Sequence, residues 1–276
     1  MQNPDASPGT FNARGHTFPL SRTYVMGILN VTPDSFSDGG EYFSPQAAIA
    51  RAKEMAAQGA DILDVGGQST RPGHTPVTQE EEWERLKNVL PALVSETGLA
   101  VSVDTFYPWV ARKALLAGAH IINDVSGFPD AMLAAAAESG CGCIVMYPVG
   151  GGAAQARAFF QGRLEAARRF GIGKERLCFD PGIGFGKTRE EDLGLIAQVG
   201  AYRIPGVCLL MAASRKRVTG FLCGNPPFEK RLPATIACHT AAILAGADMV
   251  RVHDVAEGVQ AAKMADGLRY SLCGKP

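Results

Sequence analysis

Asp104, Asn123 and Asp180 each close a short apolar run: Val-Ser-Val-Asp104, Ile-Ile-Asn123 and Cys-Phe-Asp180. A strand covered on both faces stays apolar to its end, so a polar residue at each exit is hard to explain by stability alone. Two carboxylates and an amide suit one flat heterocycle. A carboxylate accepts two N–H bonds from an amino-pyrimidinone edge, and Asn offers both a donor and an acceptor. Taken singly, each residue serves equally well as a cap for the following helix. Two further runs end in cations. One leads into Ser214-Arg215-Lys216; the other is Val-Arg251-Val-His253, whose alternation puts Arg251 and His253 on one face. Arginine grips phosphate oxygens bidentately, and a suitably oriented or protonated histidine donates to them. These clusters are candidate holders of a diphosphate.

Three loops add to the set. Asn30-Val-Thr-Pro-Asp34-Ser35-Phe-Ser-Asp38-Gly39-Gly40 is rich in oxygen donors that can bind a ligand or Mg²⁺; Asx-turns in a solvated loop are the plainer reading. Gly66-Gly67-Gln68-Ser69-Thr70-Arg71-Pro72-Gly73 sets one arginine among small hydroxyl residues, which suits a carboxylate or phosphate. In Asp180-Pro-Gly-Ile-Gly184-Phe185-Gly186-Lys187, glycines flank Phe185. They allow its ring to face a ligand instead of the core.

The elements that must position these residues alternate regularly. Strand-like runs at 24–29, 62–65, 101–103, 120–122, 143–146, 177–179, 207–210 and 249–252 are separated by stretches of helical spacing at 44–58, 78–97, 107–117, 130–139, 153–170, 188–199, 233–245 and 256–270. Ser44-Pro45 reads as a cap followed by a first-turn proline, and Thr78 with Glu81 as a capping box. Gly59-Ala60, Gly118-Ala119 and Gly246-Ala247 end helices just before strands. Eight such units predict an α/β fold, a single (β/α)8 TIM barrel, whose strand ends all point at one mouth. The expected division is 1–23 as an N-terminal extension with a β-hairpin over 10–18, turning near Gly15 and covering the barrel floor, and 24–276 as the barrel.

Composition narrows the function classes. The 276 residues carry 27 basic and 27 acidic side chains, so no net charge draws the chain to nucleic acid or an anionic membrane. No run is long and apolar enough to span a bilayer, and the first residues lack the pattern of a signal peptide. The seven cysteines are scattered without metal-ligand spacing, as expected of reduced thiols in a cytoplasm.

In this order the segments resemble the dihydropteroate synthases of the folate pathway. The resemblance runs from Tyr24 to Tyr270 and is carried by Met26-Gly-Ile-Leu-Asn-Val-Thr-Pro-Asp-Ser-Phe-Ser-Asp-Gly-Gly40, Asp64-Val-Gly-Gly-Gln-Ser-Thr-Arg-Pro-Gly73, Ser102-Val-Asp-Thr105, Ile121-Ile-Asn-Asp-Val125, Asp180 to Lys187, Ser214-Arg-Lys216 and Arg251-Val-His-Asp-Val255. It implies condensation of 6-hydroxymethyl-7,8-dihydropterin diphosphate with 4-aminobenzoate by an ionising mechanism. It further implies that Asp104, Asn123, Met146, Asp180 and Lys216 hold the pterin, and that Asn30, Arg251 and His253 meet the diphosphate, Asn30 with Mg²⁺. The aminobenzoate falls to Thr70, Arg71, Pro72, Phe185 and Ser214, and the catalytic set to Asp104, Asp180, Lys216, Arg251 and His253. A homodimer and inhibition by sulfonamides are part of the same implication.

The chain departs from the family pattern in two places. Tyr147-Pro-Val-Gly-Gly-Gly152 stands where the family usually continues with His, ahead of a shortened helix region, and Ala212 replaces a usual Gly, which tightens the pocket floor. Two other readings remain at this point. A methyltetrahydrofolate:corrinoid methyltransferase would share the acidic strand ends but not the anion site. A non-catalytic pterin-binding homologue would be marked by the altered fifth loop.

Overall fold

The computed structural model describes residues 9–32, 45–68 and 77–273, with side chains to residue 269. Strands β3 (Tyr24–Asn30), β4 (Ile62–Gly66), β5 (Ala100–Asp104), β6 (Ile121–Asp124), β7 (Gly142–Met146), β8 (Leu177–Asp180), β9 (Cys208–Met211) and β10 (Met249–Val252) form a closed parallel barrel. β10 pairs with β3 to complete the ring. All eight predicted strands are present, with ends moved by one residue at most, or two at β6.

Alternation along these strands sorts the sequence into three environments. Outward positions such as Val25, Leu63, Val101, Val103, Val145 and Val250 join the large cluster beneath the helices. Inward positions nearer the strand starts, Met26, Ile62, Ala100, Ile121, Ile144, Cys178, Leu210 and Met249, form a second, inner cluster. Further along the same strands the inward positions include Asn30, Asp104, Asn123, Asp180 and Arg251, and these line a cavity at the mouth. The polar strand ends are thus one layer of the barrel, stacked on an apolar one.

The helices follow the predicted order with informative differences. The stretch expected as one helix over 78–97 is two, α2 (Gln79–Leu86) and α3 (Leu90–Glu96). Pro91 explains the break: it lacks an N–H, and its ring clashes with the carbonyl four residues back in a continuous helix. Thr78 forms the capping box, accepting from Glu81 N at 3.2 Å while Glu81 accepts from Thr78 N at 2.9 Å. The Ser44 cap lies outside the described residues; α1 (Pro45–Ala57) opens on Pro45. The helix after β7 is not shortened, since α6 (Ala153–Arg169) runs 17 residues. Gly59, Gly118 and Gly246 have φ of 95°, 101° and 114°, the left-handed exits their Gly-Ala pairs predicted.

The hairpin is β1 (Thr10–Ala13) and β2 (His16–Pro19), antiparallel, with Gly15 at φ 86° in its turn. Phe11, Ala13, Phe18 and Leu20 belong to the inner cluster, so the hairpin closes the floor opposite the mouth. Arg14 fastens it by donating to the carbonyls of Leu115 (2.6 Å) and Ala119 (2.9 Å). A Cβ on Gly142 would stand 2.6 Å from Phe11 Cζ, so β7 has no side chain where the ring seats. Phe11 is fully buried, and Phe11→Ala is expected to cost about 3–5 kcal/mol of stability. Urea unfolding measures this; a loss below about 1 kcal/mol would show that the floor does not depend on the ring.

Candidate active site

The mouth encloses a cavity of about 380 Å³. Asn30, Asp104, Asn123, Met146, Asp180, Phe185, Ser214, Lys216, Arg251 and His253 all line it, so ten of the side chains singled out in the sequence face one space. Thr70, Arg71 and Pro72 lie outside the described residues, as do Asp34, Ser35 and Asp38. Ala212 lines the cavity too, in keeping with a floor narrowed by one methyl group.

The charges at the base of the cavity are linked. Arg251 donates from Nε to Asp64 Oδ2 at 2.6 Å and from Nη2 to Asp104 Oδ2 at 3.0 Å. Asn123 donates from Nδ2 to the same Asp64 oxygen at 3.0 Å. Asp64 is wholly buried and Asp104 nearly so. Burial pushes Asp104 up to about 7; Arg251 opposes this, and the Asp64 charge adds to it. The Oδ1 atoms of both aspartates are buried and have no hydrogen-bond partner among the described residues. Such an oxygen is costly to leave unpaired, and an N–H donor from a ligand would satisfy it.

Asp180 is also raised by burial, with Lys216 the chief opposing charge. Its Oδ1 accepts from Gly182 N at 2.7 Å, which fixes the carboxylate at the start of its loop. Lys216 Nζ donates to Ile183 O at 2.7 Å and lies 4.9 Å from the centre of the Phe185 ring. Burial lowers Lys216 to about 8, against the pull of Asp180. Gly182, Gly184 and Gly186, at φ of 69°, 82° and 61°, make the turns that bring Phe185 to the cavity.

The last two barrel loops are tied side chain to side chain. Ser214 Oγ accepts from His253 N at 3.2 Å and lies 2.9 Å from His253 Nδ1. The contact with Nδ1 fixes the orientation of the ring, and its direction follows the tautomer of the imidazole. Arg215 pairs with Asp254 through Nε (2.8 Å) and Nη2 (2.5 Å). Arg215 itself has φ 52°, unusual for a residue with a Cβ; the bond from its N–H to Thr235 Oγ1 at 2.9 Å helps hold it there. The sequence cluster 214–216 therefore divides: both cations line the cavity, but Arg215 is committed to the Asp254 carboxylate, while Lys216 faces Asp180.

Sequence reasoning gave no role to Asp64 or Lys187. Asp64 ends an apolar run like the other acids and was visible in that respect. Lys187 is also a lining residue, and Arg189, Arg217, Phe228 and Arg231 extend the wall outward; the loop motif signalled Lys187, and nothing in the spacing signalled the rest. Among the described residues no three His, Cys, Asp or Glu side chains cluster as a metal centre.

Comparison with known proteins agrees with this geometry. Residues 26–253 match the family model described as pterin binding enzyme. The dihydropteroate synthase of Synechocystis sp. is 43% identical over 261 residues, covering 90% of both chains. The Xanthomonas albilineans dihydropteroate synthase solved with 4-aminobenzoic acid superposes with a TM-score of 0.87 at 41% identity, covering 98% of this chain and 100% of that one. The Burkholderia cenocepacia enzyme complexed with 7,8-dihydropteroate gives 0.88 at 34% identity, covering 97% and 99%. The chain belongs to the pterin-binding enzyme family and, within it, to the dihydropteroate synthases.

Proposed function

We infer that this protein is a transferase that condenses 6-hydroxymethyl-7,8-dihydropterin diphosphate with 4-aminobenzoate, giving 7,8-dihydropteroate and diphosphate. The observation that carries the reading is that one cavity brings buried acids and half-buried cations together. Asp104, Asn123 and Asp180 read the donor edge of the pterin, the two aspartates through charge-assisted bonds. Lys216 meets an acceptor atom of the ring, and Met146 packs on its face. His253 and the Arg251 guanidinium hold the diphosphate. Cleavage of the methylene C–O bond sends the electron pair to the diphosphate. The carboxylates of Asp104 and Asp180 favour the positive charge that develops on the methylene carbon. The arylamine, with Ser214 and Phe185 on its side of the cavity and Thr70, Arg71 and Pro72 assigned to it by the resemblance, attacks as a neutral nucleophile and loses its proton after the C–N bond forms.

Mg²⁺ fits this site as a partner of the diphosphate. Asn30 offers one neutral oxygen donor at the rim, and Mg²⁺ commonly takes one or two protein ligands together with substrate phosphates and water. Bound there, it would neutralise charge on the leaving diphosphate. A homodimer and a cytoplasmic location complete the proposal. The location is supported by six described cysteines, all free, and no described helix is long and apolar enough to cross a membrane.

The decisive assay is diphosphate release that depends on added 4-aminobenzoate. It is expected, and its absence would leave a non-catalytic pterin binder. In the same assay a sulfonamide should lose potency as 4-aminobenzoate is raised, because its sulfonyl group mimics the carboxylate. Asp180→Asn should weaken pterin binding by roughly 10- to 150-fold, the range for a buried hydrogen bond to a charged group. Near-unchanged affinity by calorimetry would remove Asp180 from that role. For pH, Lys216 is cationic below about 8 and neutral above it. Pterin affinity should therefore fall as pH rises through that value, and Lys216→Met should flatten that limb. A limb that persists in the variant would assign the dependence elsewhere.

A further inference from the structure

Lys187 is only 9% exposed, yet its ammonium is spent on main-chain carbonyls. Its Nζ donates to Tyr147 O at 3.0 Å and to Phe185 O at 3.1 Å, and stands 4.5 Å from the centre of the Tyr147 ring. Burial lowers it to about 8, against the pull of Asp180, Asp192 and Glu191. Burying a cation is costly, and a lysine is a poor choice where packing alone is needed.

Its contacts show what it holds. The loop after β7, led by Tyr147, and the loop after β8, which carries Phe185, meet backbone to backbone. A Cβ on Gly182 would lie 2.2 Å from Tyr147 O, and one on Gly150 would lie 2.7 Å from Gly186 O. Tyr147 turns back on its own loop, its hydroxyl donating to Gly150 O at 2.6 Å. The Tyr147 ring supplies one wall of the lysine's seat.

We propose that Lys187 is a positioning residue for the amine acceptor: by bonding the Phe185 and Tyr147 carbonyls at once, it fixes the Phe185 ring above Lys216. Lys187 acts through Phe185 and need not touch either substrate. The proposal rests on the reading that places 4-aminobenzoate beside Phe185.

The test is steady-state kinetics with each substrate varied in turn, for the wild type, Lys187→Met, Phe185→Ala and the double variant, with folding checked by circular dichroism. Lys187→Met is expected to raise KM for 4-aminobenzoate about tenfold or more, the scale of losing a charge-assisted contact. KM for the pterin diphosphate should stay within about twofold and kcat within about threefold. In the Phe185→Ala background, Lys187→Met should add almost nothing, since its effect passes through the missing ring. Lys187→Arg, which keeps the cation, should recover part of the loss. Equal increases in both KM values, or additive effects in the double variant, would overturn the proposal. If Phe185→Ala alone leaves the 4-aminobenzoate KM unchanged, the acceptor-side reading fails and the proposal with it. If Lys187→Met does not fold, Tyr147→Leu, which removes the ring and its hydroxyl's bond to Gly150 O but keeps the carbonyl that Lys187 holds, is judged by the same selectivity between substrates.

Discussion

One guanidinium between two buried carboxylates sets the terms for this barrel's mouth. Arg251 reaches Asp64 at 2.6 Å and Asp104 at 3.0 Å, and Asn123 completes the group through Asp64. Removing an ion from water costs several kcal/mol even in real protein interiors, and the cost is recovered only with good geometry and further hydrogen bonds. Asp64 takes the shorter of the two bonds and a second donor in Asn123, while burial still holds Asp104 at about 7. The site is thus held near neutrality while keeping unpaired acceptor oxygens for a ligand. Arg215, another arginine of the cavity wall, is likewise paired with a carboxylate, that of Asp254.

The surrounding fold makes that arrangement rigid. The acids and Arg251 come from strands, whose backbones are fixed by neighbours on both sides. An apolar layer lies directly beneath them, and the hairpin seals it from below. Lys216 and Phe185 come from loops, and these are stitched by Asp180, Lys187, Asp192 and Thr235 to main-chain atoms. Strands give precision where charge must be balanced, and pinned loops give access where substrates enter.

Much of this was legible in the sequence, for local reasons. Short apolar runs and Gly-Ala exits are local signals, so the eight strands and the barrel could be read directly. Asp104, Asn123 and Asp180 were visible as polar breaks in apolar runs. Asp64 broke its run in the same way but had no readable role, because its partner Arg251 lies 187 residues further on. Lys187 was less readable still, since main-chain carbonyls leave no mark in a sequence. Pro91 did leave one, and the single helix over 78–97 overlooked it. The apparent shortening after Tyr147 came from its three glycines, which make a tight loop ahead of a helix of full length.

The most direct test of this account is the titration of Asp104 by carboxyl-detected NMR in the wild type and in Arg251→Met. Arg251 is the main charge opposing the burial that raises Asp104. The account predicts a midpoint near 7 in the wild type and a rise of about one pH unit or more in the variant. A midpoint that does not move when Arg251 is removed would contradict it.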